Sequence, residues 1–245
     1  MNEPIIHAAA DLEPASICDG GDLDCGSGLL LIIRKAMNEV ANGNVLEIRS
    51  TEISVREDLP AWCRMTKNPY LGWRVGENTN RYFVRRGEAT ADENSFAVAR
   101  DYRWQERVRG VEGGKAKVFA RNHSFEVGQP ASFDVKDEAP SAVEYVLGAL
   151  GACLVNGFRI HASRRGIQIE NAELALNGRI DNILVFLGVE KAGHPGLSAI
   201  EATLYVQANA DEETLQSLWD ETLLRSPVMN TLTRNVHVSA RLQVI

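Results

Sequence analysis

Apolar residues recur at helical spacing most clearly over residues 140–166, where Val143, Val146, Leu147, Leu150, Leu154 and Phe158 form a stripe and Cys153 lies between its last turns. Ser141 followed by Glu144 reads as a capping box, Arg164 and Arg165 fall at the negative end of the helix dipole, and Gly166 can take the left-handed conformation just past the end. The opposite side is small rather than polar, with Gly148, Ala149, Gly151, Ala152 and Gly157. A helix that is apolar on most of its circumference is central rather than peripheral. Each interior glycine costs about 1 kcal/mol relative to alanine, so close approach of other elements is expected there.

Upstream, Leu30, Ile33, Met37 and Val40 place a helix over residues 27–42, capped by Ser27 and ended by Gly43. A short strand over 44–49 follows, then a second helix over 54–67 with Leu59, Trp62 and Met65 on its apolar side and Asn68-Pro69 as its stop. Two β-rich runs, LGWRV and NRYFVRR, form a hairpin. With a first strand before the first helix, the order strand, helix, strand, helix, hairpin predicts a small two-layer α/β sandwich.

Residues 87–101 are rich in alanine and acidic side chains without a steady period and read as a linker. From Tyr102 the runs YRWQERVRGV and AKVFARNHSFEV predict a hairpin about EGGK. Beyond the long helix, IQIENAELALNGRID, ILVFLGVEK and residues 199–207 read as strands. Asp211 caps a helix buried through Leu215, Leu218, Trp219 and Leu223, and Ser226-Pro227 opens a short further one. Val236, Val238, Ala240, Leu242 and Val244 alternate as a closing half-buried strand. The predicted fold class is α+β: residues 1–86 as a two-layer domain, 87–101 as linker, and 102–245 as antiparallel strands about a long central helix.

Composition adds exclusions. A net charge of −7 over 245 residues, with no basic run, argues against nucleic-acid or anionic-membrane partners. The start, MNEPIIHAAADLEP, lacks a positive segment followed by an apolar core, and no run approaches ~20 apolar residues, so a cytoplasmic protein with no membrane partner is expected. Four cysteines, at 18, 25, 63 and 153, are too few for a disulfide scaffold and are expected as free thiols, although Cys18 is a candidate partner for Cys25. The five histidines show no metal-ligand spacing, and no cofactor is expected.

The run PSAVEYVLGALGACL, followed by RRG, HPG, an acid-capped helix and SPV, resembles the OsmC/Ohr family of thiol peroxidases and their relatives, from about residue 102 to 245. The resemblance implies that Cys153 is a peroxidatic nucleophile and that an arginine of the first hairpin stabilises its thiolate. Arg107, Arg109 and Arg121 are the candidates, with Arg109 preferred because it falls near the turn end of the first strand. A glutamate ten residues before the cysteine orients that arginine in the peroxidases. This chain has Val143 there and Glu144 one residue on, about 100° around the helix, where it also serves the capping box. The resolving cysteine that precedes a late proline is Ser226 here, before Pro227. The family further implies an intertwined homodimer whose central helices meet, with each site built from both subunits.

The N-terminal segments LDCGSGLLLIIRKA and REDLPAWCRMTKN resemble the TusA/SirA-like sulfur carriers, over about residues 17–86. In that family the cysteine of a Cys-Pro-x-Pro turn carries a persulfide. Here the turn is Cys25-Gly26-Ser27-Gly28, with the cysteine kept and both prolines replaced. Free N–H groups at a helix start stabilise a thiolate, so Cys25 is expected to be more reactive than Cys63, a small residue inside the second helix. Together the two halves suggest a thiol-based redox or sulfur-handling protein that meets a thiol reductant or sulfur donor protein. The alternative is a non-catalytic carrier or small-ligand binding module with a degenerate peroxidase site.

Overall fold

Residues 12–76, 78–88, 93–131 and 136–244 are described in the computed structural model. The chain divides into two units, Met1–Arg103 with Ile160–Gln168, and Trp104–Arg159 with Ile169–Ile245.

The first unit runs β1 (Ser16–Asp19), a π-helical turn (Cys25–Leu29), α1 (Leu30–Glu39), β2 (Val45–Ser50), α2 (Val55–Thr66), β3 (Tyr70–Val75), β4 (Asn80–Arg85) and α3 (Glu93–Arg100). Its sheet has the order β1-β2-β4-β3, parallel between β1 and β2 and antiparallel elsewhere. Because side chains alternate along a strand, Leu46 and Ile48 share a face with their cross-strand partners Val84 and Tyr82. Ile33 and Met37 of α1, and Val55, Leu59, Trp62 and Cys63 of α2, close over that face. The expected two layers are thus formed by two helices on one side of the sheet. The region read as linker contains α3, although residues 89–92 lie outside the described set.

The other face of this sheet buries a charge. Glu47 is fully buried and accepts hydrogen bonds from Arg49 Nε (2.8 Å) and Arg81 Nε (2.6 Å), with a further bond from Arg81 Nη2. Burial pushes its carboxyl up, but the bonds and charges of Arg81 and Arg49 outweigh that and hold it below the usual range.

The second unit runs β5 (Glu106–Val111), a short 3-10 turn, β6 (Lys115–Ala120), β7 (His123–Val127), α4 (Ala142–Arg164, whose last residues belong to the first unit), β8 (Ile169–Ile180), α5 (Ile183–Phe186), β9 (Leu197–Ala208), α6 (Glu212–Arg225) and α7 (Pro227–Thr233). Strands β5-β6-β7 form one antiparallel sheet, and β8 and β9 pair from Ile169↔Ala208 to Ile180↔Leu197. Leu150, Leu154 and Phe158 of α4 are buried, as is Leu218 of α6, and the Phe158 ring meets Trp219 edge-on at 6.3 Å. Gly151 is where α4 approaches β8 closely, since a Cβ there would lie 2.6 Å from Leu176 Cδ1.

Three predicted strands are corrected. AKVFARNHSFEV is two strands rather than one, because Arg121 takes a left-handed φ of 53° and turns the chain before His123. In ILVFLGVEK, Asn182 accepts from the Leu184 amide and caps the short α5 instead of continuing a strand. Residues 235–244 keep their alternation but form no ladder, leaving Val238 80% and Leu242 91% exposed. By length and composition α4 would pass for a membrane span, a test the core helix of a folded protein also passes, yet only 22% of its most apolar stretch is buried within the single chain.

Candidate functional site

The ends of α4 are set as its sequence suggests. The Ser141 amide and hydroxyl both donate to Glu144 Oε2 at 2.7 Å, and the Glu144 amide returns a bond to Ser141 Oγ at 3.3 Å. These bonds hold the Glu144 carboxyl below its ordinary value. Its oxygen is thereby engaged at the helix start. Tyr145 Oη donates to the Glu126 carbonyl at 2.6 Å and ties the first turn of α4 to β7.

One turn beyond Leu150, Cys153 is half-buried, and its Sγ lies 3.1 Å from Ser226 Oγ. Ser226 is buried and caps α7, its Oγ accepting from the Met229 amide at 3.2 Å. Helix capping therefore fixes the hydroxyl that faces the thiol. Met229 also lines an apolar cavity of about 250 Å³, together with Leu150, Leu154, Ile200, Leu223 and Leu232. Cys153 itself does not line the cavity; its half-buried thiol can be oxidised, but the neighbouring hydroxyl cannot form a disulfide with it.

The hairpin arginines lie on β5 and at the β6–β7 turn. Arg109 is exposed and pairs in register with Lys117, Arg107 lies over the Phe119 ring, and Arg121 occupies the turn. Among the described residues no hydrogen bond joins any of them to Cys153 or to Glu144.

The turn around Cys25 differs from the expected open helix start. Gly28, at φ 111°, breaks the turn from α1, and Asp24 Oδ1 accepts the Ser27 amide, so a carboxylate occupies the position where free N–H groups were to stabilise a thiolate. Burial together with Asp58, Asp24 and Glu52 pushes the Cys25 thiol up to about 12. Burial does the same for Cys63, to about 12, and for Cys18, to about 11. All four cysteines are free thiols, so the Cys18–Cys25 pairing is not formed. The signal missed was Asp58: it is distant in sequence and reaches Cys25 only once α2 packs on the turn.

Residues 135–241 match the family described as OsmC-like protein. This region is an OsmC-like domain. Its fold resembles the OsmC-like protein of Mycoplasma pneumoniae, with 16% identity and a TM-score of 0.47 over 54% of this chain and 89% of that one. The N-terminal region matches TusA-like sulfur carriers. It is 29% identical over 76 residues to the sulfur carrier protein TusA of Pseudomonas entomophila (strain L48), covering 31% of this chain and 94% of TusA. It is 34% identical over 65 residues to YrkF of Bacillus subtilis (strain 168), described as a sulfur carrier, covering 26% of this chain and 35% of YrkF. The match thus spans about a third of YrkF. The OsmC-like domain carries Cys153 and Ser226, and the TusA-like region carries Cys25. Both kinds of likeness support a thiol-based redox or sulfur-handling role.

Proposed function

We propose that this chain handles oxidised or transferable sulfur through two thiols: Cys25 carries a sulfur atom, and Cys153 either reduces an organic hydroperoxide or accepts that sulfur. The observation carrying the peroxide reading is the half-buried Cys153 thiol, 3.1 Å from Ser226 Oγ and between Leu150 and Leu154 of α4, which line an apolar cavity. As a thiolate, Cys153 attacks the distal oxygen of the hydroperoxide, the O–O bond breaks, and the alkoxide leaves as an alcohol after taking a proton. Cys153 is left as a sulfenic acid. With serine at the facing position, resolution falls to an external thiol, so one oxidation per site is fast and turnover is slow.

The working unit in this reading is a cytoplasmic homodimer. The exposed side of α4, with Val146, Ala149 and Ala152, and the exposed alternating residues of 235–244 are surfaces that a second copy would cover. Domains of 1–86 and 102–245 about a linker remain the working division. Arg109 is the first candidate to approach Cys153 from the partner's or the same hairpin, with Glu144 as its orienting carboxylate. The reaction needs no metal or cofactor, only a reductant or sulfur donor.

A second reading, a carrier or small-ligand module with a degenerate peroxidase site, is favoured by Ser226 standing where a thiol would resolve Cys153. Steady-state consumption of cumene hydroperoxide with a dithiol separates the two. Slow turnover that Cys153→Ser abolishes is expected, and consumption no faster than that of Cys153→Ser would leave the carrier reading.

A further inference from the structure

Cys25 sits between two unlike sets of neighbours. On one side α2 packs against the turn that carries Cys25, and Asp58 in its first turn adds negative charge together with Asp24 and Glu52. On the other side Cys25 packs against the core cluster that contains Tyr82, which is fully buried with its ring stacked on Trp73 at 6.2 Å between centroids. Tyr82 Oη is one of the buried polar atoms that lack a hydrogen-bond partner among the described residues. Arg56 lies 3.9 Å over the Trp73 ring and donates to Asn80 Oδ1 at 3.3 Å. Both Arg56 and Asn80 lie near the tyrosine oxygen without meeting it in bonding geometry. Burial raises the Tyr82 hydroxyl and keeps it a donor. A buried hydroxyl without a partner is costly and calls for an acceptor.

We propose that Tyr82 Oη donates a hydrogen bond to the terminal sulfur of a persulfide on Cys25, and that Asp58 takes the thiol proton as that persulfide forms. This rests on the sulfur-carrier reading of Cys25. The step balances without an outside oxidant. Cys25 Sγ attacks the outer sulfur of a donor persulfide R–S–S⁻, a new S–S bond forms to Cys25, and the donor's S–S bond breaks. The Cys25 proton passes to Asp58 and on to the leaving thiolate, giving Cys25–S–S⁻ and R–SH. The added bond moves negative charge about 2 Å beyond Sγ. The three carboxylates thus favour a neutral resting thiol, and the tyrosine provides for the charged, loaded form.

The test uses the full chain and glutathione persulfide, with mass spectrometry following the gain of one sulfur atom at Cys25 and its loss to excess glutathione. Tyr82→Phe should load normally but lose its sulfur roughly tenfold faster, as expected for a hydrogen bond to a charged group. Because the deleted hydroxyl is unpaired, this variant should melt no lower than wild type. Asp58→Asn should load roughly tenfold more slowly at neutral pH, the low end for a proton acceptor, with Asp58→Glu restoring much of the rate. A Tyr82→Phe variant that holds sulfur as long as wild type, or an Asp58→Asn variant that loads at the wild-type rate, overturns this inference and leaves the carrier role intact. Wild type that takes no sulfur at Cys25 overturns the carrier role and the inference with it.

Discussion

Ser226→Cys should convert the Cys153 site into one that closes a disulfide when oxidised. The two side-chain atoms already stand 3.1 Å apart, and an S–S bond of about 2.05 Å needs only a further ~1 Å of approach, within the reach of side-chain rotation. The sulfenate formed by hydroperoxide would be attacked by the new thiol with loss of water, and a dithiol would then reduce the disulfide. Treated with one equivalent of cumene hydroperoxide, the variant should lose two thiols per chain and show no dimedone adduct. Its steady-state turnover should rise by at least an order of magnitude over wild type. Loss of the serine cap on α7 costs about 1 kcal/mol, too little to unfold the unit. A variant that keeps a dimedone-reactive sulfenate and the wild-type turnover would show that position 226 does not resolve Cys153.

The second large effect concerns assembly. Val238 and Leu242 are among the most exposed apolar side chains, and they lie on one side of a segment whose alternation suits a half-buried strand. If a second copy covers this segment and the bare side of α4, Val238→Asp with Leu242→Asp should weaken the dimer by two to four orders of magnitude, taking about 1.5–3 kcal/mol for each Val or Leu side chain buried. Sedimentation equilibrium should find wild type dimeric and the double variant monomeric at micromolar concentration. A chain beginning near Glu88 should remain dimeric. Monomeric wild type, or an unchanged dimer in the variant, would contradict this assignment.

What could be read in advance, and what could not, follows from the range of the forces involved. The ends of α4 were legible because a capping box and a terminal glycine act within one turn, and Ser141, Glu144 and Gly166 carry them on consecutive stretches of chain. The two-layer first unit was legible because apolar period alone puts α1 and α2 on one face of the sheet. The surroundings of Cys25 were not legible because a helix-start pattern shows only local N–H groups, whereas burial and Asp58, a carboxylate brought in by tertiary packing, push its thiol up. The Arg121 turn was missed because a left-handed arginine leaves no compositional mark. The closing alternation of 236–244 was recognised, but alternation does not say which strand, or which copy of the chain, supplies the partner. Nothing local linked Cys153 to Ser226. Their closeness depends on α7 beginning at Pro227 and on α4 packing through Leu150 and Leu154.

The most direct test of the two-thiol account is site-resolved mass spectrometry of the full-length protein, treated separately with cumene hydroperoxide plus dimedone and with glutathione persulfide. The account predicts one dimedone adduct per chain at Cys153 after hydroperoxide and one added sulfur at Cys25 after persulfide, with Cys18 and Cys63 unmodified in both. Dimedone labelling that survives Cys153→Ser, or sulfur that accumulates at Cys18 or Cys63 instead of Cys25, would contradict it.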